Sequence, residues 1–371
     1  MSARNIIKQI FGRTFSFNSY GEYGPYLEES LLLYPSGCAN DVSVVVNFVE
    51  QSFPDNVVAN NPKIYEKIVD GFQANFGPAT VAWRKITNSP LQVDVHVRDL
   101  NYSGPVGFVR KLRSMEFSRG VEWFVQVLHE LVLVPTSYFF PELATMHAAS
   151  IGYDGGCILL TGTGGVGKSS AMIAVAGMDG FSFISDDIAI VSDSGLVYGN
   201  MAWPKIYGYN CVANDMKSRV LKNRGIFDVA HFWLKNKIDP SSVRRKIKPN
   251  ALFQNWHAGG NSLSNICFLF RTNVSDFELD VVSRETAVDM ACHVMLAEYQ
   301  VFHKYINWEE YNSQAAGLVP VLRMADILKK WRGIYKNIFP DQVYVLRIPM
   351  NVAHAAYNKQ IVKLITGFAK E

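Results

Sequence analysis

The sequence predicts a two-domain chain, with an α/β P-loop domain over residues 119–371 preceded by a smaller α+β domain over residues 1–118. Three observations lead there. Beyond residue 118, short apolar runs alternate with segments of helical apolar spacing, which is the rhythm of strands and helices packed in layers. Inside that stretch, Gly162-Thr163-Gly164-Gly165-Val166-Gly167-Lys168-Ser169 fills the pattern G-x-x-x-x-G-K-[ST], between an apolar run at 158–160 and a helix-compatible run from Ser170. The first third, in contrast, holds strand-like runs and no catalytic motif.

Size and composition set the outer bounds. With 371 residues, 49% apolar and 19% charged, the chain has ordinary globular composition and enough material for two cores. A formal net charge of +3, scattered along the chain, does not describe a nucleic-acid surface, so no nucleic-acid partner is expected. Five cysteines show neither paired metal-ligand spacing nor the even count of a disulfide framework, which points to a reducing cytoplasm. The first twenty residues interleave Arg4, Lys8 and Arg13 with short apolar pieces and lack the core of a signal peptide. No apolar run reaches membrane-spanning length, so no stable membrane insertion is expected.

Along the chain, Asp41-Val-Ser-Val-Val-Val-Asn47 and Leu91-Gln-Val-Asp-Val-His-Val97 read as strands, with a helix expected over 62–76 between them. Gly104-Pro105 and the basic stretch Arg110-Lys-Leu-Arg113 form a seam before the helical spacing of 121–132, which places the boundary near residue 118. Strands follow around 147–161 and 181–191, a helix after Lys168, an apolar strand at 266–271, and a closing amphipathic helix at 357–368.

The residue types of the loop follow from what phosphate binding needs. Glycines let backbone N–H groups curl round the phosphates, and the helix that follows directs its positive end at them. Gly162 through Ser170 are therefore the expected nucleotide contacts, with Lys168 neutralising the β- and γ-phosphates of ATP and Ser169 placed to ligate Mg2+.

Two neighbours narrow the reading. Asp154-Gly155 is a favoured two-residue hairpin turn, and counting back from it pairs residue 147 with residue 162, which sets His147 beside the first loop glycine. Such a histidine is either a satisfied strand residue or a phosphate-side group that relays protons. Downstream, the short strand Phe181-Ser-Phe-Ile-Ser185 ends in Asp186-Asp187, one helix and one turn after Lys168. A pair of aspartates there offers one carboxylate for magnesium and one to take a proton from an attacking hydroxyl.

The ordered set of His147, the loop at 162–169 and Asp186-Asp187 resembles the catalytic domain of HPr kinase/phosphorylase, whose phosphate site is similar to that of ATP-dependent phosphoenolpyruvate carboxykinase. The resemblance covers residues 145–200 and implies an HPr kinase/phosphoenolpyruvate carboxykinase-like P-loop domain with a mixed sheet. It further implies that Asp186 is the general base on an acceptor hydroxyl, that Asp187 touches the metal with Ser169, and that Lys168 and His147 belong to the catalytic set. A serine of a protein or peptide is the implied acceptor, and homo-oligomers occur in the family. HPr kinases carry Glu directly after the loop serine, whereas Ser170 stands here, which argues for an acceptor other than HPr.

Rival readings remain at this point. A small-molecule kinase for a sugar, polyol or other small hydroxylated metabolite needs the same base, metal and in-line geometry. A regulatory module would bind nucleotide without transferring phosphate. Asn236-Lys-Ile-Asp239 spells the guanine-recognition pattern of GTPases, but it lacks a preceding buried strand and a D-x-x-G switch sequence. Basic residues Arg244-Arg-Lys246 and Lys248, and strand-end Arg271, are candidates to close over the triphosphate, the alternative being a solvated basic loop. The stretch Asn223-Arg-Gly-Ile-Phe-Asp-Val229, which contains Arg224, loosely resembles the Arg-Gly segment of the HPr kinases. The first 118 residues are expected to bind the acceptor or regulate.

Overall fold

The computed structural model describes residues 4–19, 23–50, 57–98, 104–118, 120–211 and 214–370. Its architecture is mixed α/β, built on two large mixed sheets. The first contains β1 (Arg4–Ile10), β2 (Arg13–Ser19), β3 (Val42–Phe48), β4 (Val57–Asn61), β5 (Tyr65–Ile68), β6 (Gly71–Asn75), β7 (Ala79–Arg84) and β8 (Leu91–Val97), with α1 (Gly24–Leu31) between β2 and β3. Strand order is β1-β2-β3-β8-β7-β6-β5-β4, and β3 lies parallel to both β2 and β8. Period-two patterning makes the expected strands: Val44, Val46 and Phe48 of β3 and Leu91, Val93, Val95 and Val97 of β8 all point into the core.

The helix expected over 62–76 is instead the β5–β6 hairpin, in which Ile68 pairs with Gly71. Two features hid it. Lys67 is buried on β5, a position that a polarity pattern assigns to solvent, because Glu309 meets it from another part of the chain at 2.9 Å. Gly71 reads as a helix breaker or turn, yet it lies in a strand where any side chain would overlap the Trp83 carbonyl.

Between the sheets, α2 (Gly104–Arg113) occupies the stretch expected to be a seam. Then α3 (Gly120–Gln126) runs through a π-helical segment (Val127–Leu133) into α4 (Val134–Ser137). The wider turn of that segment carries Glu130 to the site described below.

The second sheet begins with β9 (Leu143–Met146), β10 (Ala148–Tyr153) and β11 (Gly156–Thr161), followed by α5 (Lys168–Val175), β12 (Phe181–Ser185), β13 (Ala189–Ser192) and β14 (Leu196–Tyr198). Next come β15 (Lys205–Tyr207), α6 (Asn214–Leu221), α7 (Ile226–Ile238), β16 (Arg244–Lys246), α8 (Pro249–Leu252) and β17 (Asn255–Trp256). The chain then forms β18 (Gly260–Thr272), β19 (Glu278–Ser283), α9 (Arg284–Glu298), α10 (Gln300–Ala315), α11 (Met324–Ile338), β20 (Gln342–Pro349) and α12 (His354–Phe368). Strand order is β17-β12-β10-β11-β18-β14-β13-β9, with β20 also beside β18 and β19 beside β20. β11, β18 and β20 are mutually parallel, whereas β10 runs antiparallel to both its neighbours. β15 and β16 make a separate ribbon.

Aromatic packing joins the two halves. Phe72 and Trp83 of the first sheet meet Phe139 and Phe302 at ring-centroid separations of 5.5 to 6.4 Å. All five cysteines are free. None of the helices described is long and apolar enough to cross a membrane.

Candidate active site

Everything at the site hangs from the β10–β11 hairpin. Asp154 and Gly155 adopt φ of 46° and 79°, the left-handed pair that a two-residue turn needs, and pairing proceeds from Tyr153↔Gly156 to Ala148↔Thr161. The next step of that register is 147 against 162. His147 thus sits at the mouth of the loop, just ahead of β10, and its carbonyl accepts from the Thr161 hydroxyl at 3.0 Å.

Three glycines shape the backbone of the loop. Gly162, Gly165 and Gly167 take φ of 144°, 79° and 118°, values that side chains oppose. At Gly162 a Cβ would also lie 2.5 Å from the Leu269 carbonyl of β18, and at Gly167 2.5 Å from the Tyr357 hydroxyl of α12. Lys168, buried at the start of α5, donates to the carbonyls of Gly162 (2.8 Å) and Thr163 (2.9 Å). Burial lowers its pKa, against the pull of Asp187, Glu298 and Asp186. The Ser170 hydroxyl donates to Asn210 at 2.9 Å.

Asp186 and Asp187 leave the end of β12 into the same cleft and are driven apart electrostatically. Burial, then the neighbouring charge of Asp187, pushes Asp186 up to about 6, against hydrogen bonds from Ser169 and the Lys205 backbone. Its Oδ1 is buried without a partner. Burial pushes Asp187 in the same direction, but Lys205, His147, Lys168 and Arg244 outweigh it and hold this carboxyl below its ordinary value. Asp187 lies 3.5 Å from His147 Nδ1 and 3.7 Å from Lys205 Nζ. Burial, then Lys168, lowers the pKa of His147, and its Nε2 is buried with no partner. Ser169 hydrogen-bonds Asp186, the aspartate read as the base, and not Asp187, with which it was paired as a metal ligand.

Three further residues at the site have no motif to announce them. Lys205, on β15, bridges Asp187 and Glu130, the latter at 2.5 Å. Glu298, the last residue of α9, accepts the Gly164 N–H at 2.6 Å and so occupies one of the loop amides that a phosphate would use. Tyr357 of α12 donates to the Gly167 carbonyl at 2.9 Å. All of them line a cleft of about 690 Å3 that also holds His147, Gly164 to Gly165, Gly167 to Ser170, Asp186, Asp187, Arg244 and Arg271. Gly162, Thr163 and Val166 support the loop from behind or beside this cleft and do not line it.

The basic candidates mostly turn out to be neither phosphate clamps nor solvated. Arg245 is fully buried against Asp228, Lys246 meets Glu116 at 2.7 Å, and Lys248 pairs with Glu29. Arg224 is buried between Glu122 and Asp228. Only Arg244 and Arg271 face the cleft; Arg244 is held by Glu116 and by the Tyr207 hydroxyl at 2.8 Å, and Arg271 donates to the Met350 carbonyl at 3.1 Å. Asn236 to Ile238 end α7 and Asp239 caps the turn after it through Ser241, so the guanine-type pattern follows a helix and not a buried strand.

Among the described residues no cluster of three or more His, Cys, Asp and Glu forms a metal cage. The oxygen donors present suit a magnesium ion nonetheless, since that ion keeps water and substrate oxygens and needs only one or two protein ligands. No protein-family model matches the chain, and no curated protein matches it.

Proposed function

We propose that this chain is an ATP-dependent phosphotransferase that moves the γ-phosphoryl group to a hydroxyl acceptor, a serine of a protein or peptide, using a phosphate site of the HPr kinase type. The observation that carries the reading is the meeting, in one cleft, of a glycine-built phosphate cradle with two adjacent carboxyls displaced in opposite directions. A cradle alone binds; a cradle facing a carboxylate with a pKa near 6 can also take a proton.

In this reading the amides of residues 163–169 and the Lys168 ammonium hold the phosphates and orient the terminal one toward Asp186. Ser169 and Asp187 would hold Mg2+, which supplies charge neutralisation at the β- and γ-phosphate oxygens. Lys205 keeps Asp187 ionised for that task, and Glu130 keeps Lys205 in place. Asp186 takes the acceptor's hydroxyl proton at its unpartnered Oδ1 as the acceptor oxygen bonds to the γ-phosphorus. The bond from that phosphorus to the bridging oxygen breaks, and ADP leaves with the electron pair. His147, with its unpartnered Nε2, would orient the acceptor hydroxyl or a water.

The test uses ATP labelled at the γ-phosphate and a fractionated cell extract. Label is expected in a macromolecule with the unaltered chain and with neither Lys168→Ala nor Asp186→Ala, the latter still binding nucleotide. Label in a small metabolite would move the acceptor to a sugar or polyol. Transfer by Asp186→Ala at the parent rate would remove the proposed base, and nucleotide binding without any transfer would leave a regulatory module.

A further inference from the structure

A surface helix ordinarily turns its one apolar stripe inward. α7 buries Asp228, His231 and Phe232 and turns a second apolar stripe outward. Ile226, Phe227, Trp233, Leu234 and Ile238 are 80%, 66%, 52%, 65% and 76% exposed, and their helical spacing places them on one ridge. The neighbouring α2 extends the ridge: the rings of Phe108 and Phe227 meet edge-on at 5.8 Å, and Val109 and Leu112 are exposed beside them. A contiguous apolar patch of this kind on a protein surface marks a binding face.

The charges around the ridge say what it binds. Lys217 places its ammonium 2.9 Å from the centre of the Trp233 ring, and Arg113 and Lys237 are exposed beside the ridge. Of the carboxylates nearby, Asp228 points inward to Arg245 and Arg224, Asp215 pairs with Arg219 at 3.0 Å, and Asp239, at the end of α7, accepts from the Ser241 N–H and hydroxyl. We infer that α2 and α7 form a docking face for an anionic lipid surface, with the apolar ridge entering the headgroup boundary and Arg113, Lys217 and Lys237 meeting lipid phosphates and carboxylates.

Two alternatives fit less well. A second copy of this chain, related by a two-fold axis, would set the same cations opposite one another. A helical peptide docks into a groove, whereas these side chains stand proud of the surface. Tryptophan beside lysine is also the pairing that suits the boundary between headgroups and acyl chains. Docking of this kind lies along the surface and requires no spanning helix. One short turn, Pro240–Ser242, separates α7 from Arg244, so docking would hold the cleft close to the lipid surface. The inference stands on α2, α7 and the cations beside them and does not depend on the phosphotransferase reading.

Co-sedimentation of the full chain with vesicles tests it, using phosphatidylcholine alone and phosphatidylcholine with about 30% phosphatidylserine. Binding to the anionic vesicles is expected to exceed that to neutral ones by at least about tenfold and to weaken as salt rises. Phe227→Asp with Leu234→Asp should lose binding to both, with melting temperature unchanged because both residues are exposed. Arg113→Glu with Lys237→Glu should lose about tenfold on anionic vesicles only. Equal binding to the two compositions, or none to either, overturns the inference. Self-association that Phe227→Asp with Leu234→Asp abolishes, without vesicle binding, would assign the ridge to a second copy instead.

Discussion

Replacing Asp186 with asparagine removes a buried charge while keeping the shape of the side chain. In the folded chain burial, then Asp187, raises this carboxyl from 3.8 to about 6. A folded value above the unfolded one means that the unfolded chain releases its proton first. The penalty is therefore absent below about pH 4, grows as pH rises, and is complete above about pH 6. At about 1.4 kcal/mol per pH unit the displacement amounts to about 3 kcal/mol at pH 8 and roughly half that at pH 5. The side chain is 6% exposed, so solvent screening removes little of it. Asparagine cannot ionise, and its carbonyl oxygen can keep the 3.4 Å bond from the Lys205 amide. Asp186→Asn is thus expected to be more stable than the parent by about 1.5 kcal/mol at pH 5 and about 3 kcal/mol at pH 8, measured by urea denaturation at both values. Transfer should fall by about 100- to 10,000-fold while nucleotide binding persists. In the parent, the rate should rise with pH through about 6 as the base loses its proton. A variant less stable than the parent at pH 8, or one whose gain does not grow with pH, would refute the electrostatic argument. Undiminished transfer would refute the catalytic one.

Three other outcomes follow from the geometry. Lys67→Met leaves the Glu309 carboxylate buried without its cation and should cost about 3 to 5 kcal/mol in urea denaturation, part of which Lys67→Met with Glu309→Leu should restore. Gly162→Ala should abolish nucleotide binding in calorimetry and lower the melting temperature, because its φ of 144° and the Leu269 carbonyl both oppose a side chain. Glu298→Gln weakens a carboxylate that competes for the Gly164 amide and should tighten ATP about three- to tenfold by calorimetry; weaker binding would show that Glu298 assists the phosphates and does not compete with them.

Patterns that depend on near neighbours were legible. The turn Asp154-Gly155 determined the register that brings His147 to Gly162, because a two-residue hairpin leaves no freedom in the count. Phe181 to Ser185 and the aspartates after it were read off as a strand and its end, since strand, turn and motif lie within a few residues of each other. The β5–β6 hairpin was not legible. Lys67 belongs in the interior only because Glu309, far along the chain, supplies the opposite charge, and Gly71 is in its strand because Trp83 lies against it. Arg245, Lys246 and Lys248 looked like a basic loop for the same reason: their carboxylate partners Asp228, Glu116 and Glu29 are remote in sequence.

By itself, then, the amino-acid order determined the mixed α/β alternation, the glycine cradle and the pair of aspartates that follows it, all of which rest on local backbone preference and on the periods of strand and helix. Tertiary structure decided which charges those aspartates feel. Lys205 and Arg244 come from the two strands of the ribbon and Lys168 from the start of α5, and only folding places them around Asp187. Coulomb interactions depend on distance in space and on burial, neither of which is written in sequence spacing. That is why two adjacent, chemically identical aspartates have carboxyl groups displaced in opposite directions.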